Sequence, residues 1–155
     1  MATGREFAAR YHRPPMSVLP WNLLPDNSAI GENGHLTIAG CDTISLAAEF
    51  GTPLFVYDED HLRDRCRQAV AAFGDGAVYA SKAFLCLAMA RLAHEEGMRV
   101  DVATEGEALV ALSAGVPPER MVVHGNNKSL RELEMALDNH VGRLVVDGFD
   151  ELDRI

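Results

Sequence analysis

The sequence contains only two lysines, Lys82 and Lys128, although Lys and Arg together number 14. Lys82 lies in Tyr79-Ala80-Ser81-Lys82-Ala83-Phe84, at the end of an apolar run and among small residues. An amine held in such a confined place loses some of its charge to desolvation and can add to a carbonyl as a Schiff base. The same lysine can also be a strand-end tip that snorkels to water. Asp101 interrupts the apolar run Val100-Asp101-Val102-Ala103, where an unpaired carboxylate is costly. Its partner is a protonated lysine or imine across a shared mouth, or an arginine such as Arg99 or Arg120, or else it faces water. His124-Gly125-Asn126-Asn127-Lys128-Ser129 joins an imidazole, two carboxamides and the second lysine in one loop. Turn and cap chemistry accounts for most of that loop. His124 is left either as a structural histidine or as a group that packs on a ring or moves protons. Asp147-Gly148 is the fourth such position.

These groups need elements to bring them together. Apolar runs centred on Val78, Val100, Val122 and Leu144 recur every 22 residues. Between them lie helix-like segments at 85–96, 105–113 and 130–139, followed by Gly97, Gly115 and Gly142. Thr104 with Glu107, and Ser129 with Glu132, form capping boxes that mark two helix starts. Strand, helix, strand at a short fixed period predicts parallel strands with right-handed crossovers, hence an α/β fold. The strict period favours a partial (β/α)8 barrel of about four βα units, whose functional groups gather at the C-terminal ends of the strands. Four units leave open edges, so the chain reads as part of a longer one. Upstream, residues 1–35 read as an irregular N-terminal arm, and 36–155 as the incomplete barrel domain. Asp42 caps a helix that ends at Gly51, Pro53 to Tyr57 reads as a strand, and Asp58 caps an amphipathic helix bearing Leu62, Cys66, Ala69, Val70 and Phe73.

Composition narrows the class further. With 48% hydrophobic residues and a formal charge of −9, the chain has a globular composition, and its basic residues do not cluster. Nucleic acid and anionic membranes are therefore not expected partners. The scattered Cys41, Cys66 and Cys86 indicate neither a disulfide framework nor a metal site, and a cytoplasmic location is expected. No Walker loop, G-x-G-x-x-G, G-x-S-x-G or H-E-x-x-H string occurs.

Taken in order, Gly-Thr-Pro-Leu-Phe-Val-Tyr-Asp at 51–58, Tyr-Ala-Ser-Lys-Ala-Phe at 79–84, Asp-Val-Ala-Thr-Glu-Gly-Glu at 101–107 and His-Gly-Asn-Asn-Lys-Ser at 124–129 resemble the diaminopimelate decarboxylase family of fold-type III pyridoxal phosphate enzymes. The resemblance runs from about residue 36 onward. It implies that Lys82 carries pyridoxal 5'-phosphate as a Schiff base, that Asp101 lies beside it near the cofactor, and that His124 and Asn126 line the same mouth. It implies decarboxylation of meso-2,6-diaminopimelate to L-lysine and CO2 by a homodimeric parent enzyme, the last step of lysine biosynthesis. This chain would then be an inactive fragment without the family's C-terminal β domain. Glu105 departs from the family's Ala-Ser-Gly-Gly-Glu pattern, where a glycine is usual. Two other readings remain: a non-catalytic pyridoxal-phosphate-binding barrel module, and another fold-type III amino-acid decarboxylase of the ornithine or arginine type.

Overall fold

The computed structural model describes residues 21–155, so the first twenty residues of the expected arm lie outside the described residues. The chain divides into two compact units after Asp58.

In the first unit, β1 (Ser28–Ile30), β2 (Leu36–Ile38) and β3 (Cys41–Asp42) form an antiparallel sheet in that order. β1 lies in the stretch read from sequence as irregular. A turn closed by Gly31 N–H donating to the His35 carbonyl at 2.8 Å brings Ile30 opposite Leu36. Three residues are too few to show alternation in a sequence, so this pairing becomes visible only in three dimensions. Helix α1 (Thr43–Phe50) starts where expected: the Asp42 carboxylate accepts from the Ser45 N–H at 2.8 Å. Gly51, with φ of 80°, follows it. The expected strand at Pro53 to Tyr57 is not formed, and those residues belong to no sheet. An apolar β-prone run becomes a strand only when another strand supplies ladder hydrogen bonds.

The second unit opens with helix α2 (Glu59–Phe73) and continues as β4 (Val78–Ala80), α3 (Leu87–Glu95), β5 (Arg99–Val102), α4 (Glu105–Ser113), β6 (Met121–Val123), α5 (Leu130–Asp138), β7 (Arg143–Leu144) and α6 (Phe149–Leu152). The four strands are parallel and adjacent in chain order, β4-β5-β6-β7. This is the arc of a (β/α) barrel that the 22-residue period predicts. Both capping boxes form as read, Thr104 with Glu107 and Ser129 with Glu132. Glu105 occupies the first turn of α4 and pairs with Arg131 at 2.8 Å. An acid suits the positive end of a helix, so this departure from glycine is compatible with the local structure.

Strand alternation sorts the side chains onto two faces. Val100, Val102, Met121 and Val123 are buried with Ala90, Ala108, Ala111 and Ala136 of the covering helices in one apolar cluster. A second cluster joins Cys66 of α2 to Met89, Leu92 and Ala93 of α3. Arg99, Asp101 and Val122, one residue out of phase, therefore lie on the opposite face. At the N-terminal ends of the strands, Asp75 receives Arg99 at 2.7 Å, Arg120 at 2.6 Å and Arg143 at 3.4 Å. The Arg99 and Arg120 guanidinium groups hold its carboxyl below the usual range. Gly142 makes this end compact: a Cβ there would stand 2.0 Å from the Glu119 carbonyl oxygen.

Candidate functional site at the strand ends

Asp101 sits near the C-terminal end of β5, flanked by β4 and β6. Its ladder partners are Ala80 and Val122. Two residues further along those neighbouring strands come Lys82 and His124, so the residue types singled out in the sequence converge diagonally on Asp101. The His124 Nε2 to Asp101 Oδ2 distance is 3.3 Å, with both side chains partly buried. Burial pushes the Asp101 carboxyl above its ordinary range; the nearby His124 and Lys82 pull it back, and Glu107 adds to the rise. His124 is fixed through its backbone, whose N–H donates to the Val102 carbonyl at 2.9 Å.

The partner of Asp101 is thus the imidazole. Arg99 and Arg120, the arginines weighed from sequence, are both engaged by Asp75 instead. Arg99 shares a face with Asp101 but begins the strand that Asp101 nearly ends, which points the two side chains to opposite ends of the sheet.

Lys82 lies in a 3-10 turn, Ser81–Ala83, directly after β4. The turn is closed by the Tyr79 hydroxyl, which donates to the Phe84 carbonyl. Lys82 itself is exposed, not confined as expected from its small neighbours. β4 is an edge strand of the described sheet, so the turn after it has a neighbouring strand on one side only. Tyr79 thus braces the turn that carries Lys82, a contact that its residue type alone does not announce. An aromatic hydroxyl five residues before a carbonyl it can reach is the signal that was available.

Asn126 comes two residues after His124. It is exposed and lines a small hollow with Asp147, Gly148, Asp150, Glu151 and Arg154, beside the end of β7. Lys128 is the larger surprise, since its side chain is buried. Its ammonium donates to the Gly125 carbonyl at 2.6 Å and to the two Glu151 oxygens at 3.0 and 2.9 Å. Lys128 holds the Glu151 carboxyl below its usual range. The two lysines, alike in the sequence, have opposite environments. Among the described residues no group of three or more His, Cys, Asp or Glu side chains could hold a metal ion. No described helix is long and apolar enough to cross a membrane.

An exposed primary amine, a carboxylate partly withdrawn from water and an imidazole on one face form a donor set that suits an aldehyde cofactor with a cationic ring. Residues 59–155 match the family described as pyridoxal-dependent decarboxylase, pyridoxal binding domain. The chain belongs to this family. The match begins with α2 and covers the second compact unit.

Relatives of known name agree. The chain is similar to the diaminopimelate decarboxylase of Mycobacterium bovis, 52% identical over 136 residues, which are 86% of this chain and 30% of that protein. It is similar to the diaminopimelate decarboxylase of Bacillus methanolicus, 50% identical over 131 residues, 81% of this chain and 30% of that one. Among solved structures, the diaminopimelate decarboxylase of M. jannaschii in complex with L-lysine superposes with a TM-score of 0.75 at 33% identity, covering 84% of this chain and 32% of that one. The lysine/ornithine decarboxylase of Vibrio vulnificus complexed with putrescine gives 0.65 at 30% identity, covering 72% and 31%. The chain thus spans about 30% of the length of the curated relatives it matches. Its four βα units are part of the pyridoxal-binding barrel of this decarboxylase family.

Proposed function

We propose that this chain supplies the lysine-bearing part of a diaminopimelate decarboxylase, converting meso-2,6-diaminopimelate to L-lysine and CO2 with pyridoxal 5'-phosphate. The observation that carries the reading is the convergence of Lys82, Asp101 and His124 at one end of the parallel sheet. The identity to named diaminopimelate decarboxylases supports this substrate over those of the ornithine and arginine type. The cofactor supplies an electron sink for the pair left on the α-carbon when CO2 departs. Lys82 would hold the cofactor through its amine and, when that amine is free, would be the group placed to move a proton at the α-carbon. Asp101 would place its carboxylate beside the Lys82 amine, and His124 holds Asp101 in place. Asn126, at the rim beside β7, borders the approach to the site. A cytoplasmic homodimer is the setting we propose for the activity.

The test is covalent. The purified chain is incubated with pyridoxal phosphate, reduced with borohydride and mapped by peptide mass spectrometry. The expected label is on Lys82 and is absent from Lys82→Ala, whose melting temperature stays close to wild type because the residue is exposed. Label that persists in Lys82→Ala, or that maps to Lys128, overturns the assignment.

A further inference from the structure

The loop 124–129 carries His124 at one end and a buried lysine near the other, and its sequence gives no reason for the burial. The side chains of Lys128 and Glu151 are 1% and 4% exposed. All three ammonium protons have an acceptor within reach: the Gly125 carbonyl and both Glu151 oxygens. Glu151 Oε2 also accepts from the Asp147 N–H at 3.1 Å, and Arg154 donates to the Lys128 carbonyl at 3.1 Å. The pair therefore ties the loop after β6 to the segment after β7. An ion pair hidden from water is a weak source of net stability, so its presence calls for another account.

We propose that Lys128 is a positioning residue for the site, a latch that sets His124 against Asp101 through the Gly125 carbonyl. Gly125 follows His124 directly and has φ of 120°, a conformation that L side chains rarely adopt. Its carbonyl is captured by Lys128 at 2.6 Å, while the His124 N–H is captured by Val102 at 2.9 Å. The short link between these anchors leaves the imidazole little freedom other than its own side-chain rotation. Glu151 anchors the latch to α6. The loop that presents His124 is thereby referenced to two neighbouring strands, β5 on one side and β7 on the other. The proposal rests on the reading of Lys82, Asp101 and His124 as one site.

The experiment reads the Asp101 carboxyl by carbon-detected NMR titration of the 155-residue chain. His124→Ala removes the group that pulls the Asp101 midpoint down and fixes the size of that effect. Lys128→Met is expected to raise the Asp101 midpoint by a similar amount. The double variant Lys128→Met with Glu151→Met removes both buried charges, so its stability recovers, yet the Gly125 carbonyl stays uncaptured and the midpoint stays raised. A wild-type midpoint in the double variant overturns the latch, because the pair would then matter only as charge. Loss of the folded sheet in both variants overturns it equally, since a device confined to positioning leaves the β4–β7 core standing. Borohydride labelling of Lys82 in the same samples tests the underlying reading separately. Failure of labelling in wild type with the midpoint shifts intact would refute the site and leave the mechanical coupling.

Discussion

Asp101 is the residue whose environment speaks most directly to chemistry. Its carboxyl is pushed up by burial, against the pull of His124 and Lys82. A carboxyl with a raised folded-state pKa favours folding below its unfolded value, and that contribution disappears as the pH rises through the folded value. Asp101→Asn is therefore expected to melt a few degrees above wild type at neutral pH, with the advantage vanishing near pH 3. Thermal melts at several pH values check this, and an advantage independent of pH would mean that burial of the charge is not its source. The sequence made Asp101 conspicuous as an acid in an apolar run. It did not reveal the partner, because pairing with His124 depends on register between strands. The same holds for the lysines. Residue type and scarcity drew attention to both, but only three-dimensional placement separates the exposed Lys82 from the buried Lys128.

At the level of elements, local signals were legible where the chemistry is local. Thr104 and Ser129 were readable as caps because a hydroxyl and a glutamate three residues later satisfy each other's neighbourhood without outside help. Thr104→Ala and Ser129→Ala are each expected to cost about 1 kcal/mol in urea denaturation, with little change in the slope. Each cap starts the helix that follows a site strand, so backbone flexibility should rise next to Asp101 and His124 respectively. The segment at Pro53 to Tyr57 shows the opposite case. Its residues favour a strand, but strand formation is a property of pairs, and none of the described strands pairs with it.

Over the molecule, the second unit owes its cohesion to small and branched apolar residues packed between sheet and helices. Met121, with 0% exposure at the start of β6, touches the cluster that spans β5, α4 and α5. Met121→Ala is expected to cost roughly 2–5 kcal/mol, read as a lowered urea midpoint. The two ends of this sheet have different characters. The N-terminal ends are drawn together by Asp75 and three arginines, and the C-terminal ends carry the amine, the imidazole and the acid. The repeat was legible in the sequence because every unit has the same length. The Asp75 knot was not, since its arginines lie 24 residues or more along the chain from Asp75.

The register has one more consequence. Val78 pairs with Arg99, Val100 with Met121 and Val122 with Arg143, an offset of 21 each time, whereas the strand centres recur every 22 residues. Each strand is thus displaced by one residue against its predecessor, the slant that barrel closure requires. One is an odd number, and neighbouring residues point to opposite faces. At any given height, then, every second strand looks inward, and Ala80 and His124 share a storey while the strand between them contributes Val102 to the helix side. A molecule resting against this wall meets a chequerboard of β4, β5 and β6 side chains, so a single-residue slip of β5 or β6 would exchange Asp101 or His124 for a core valine.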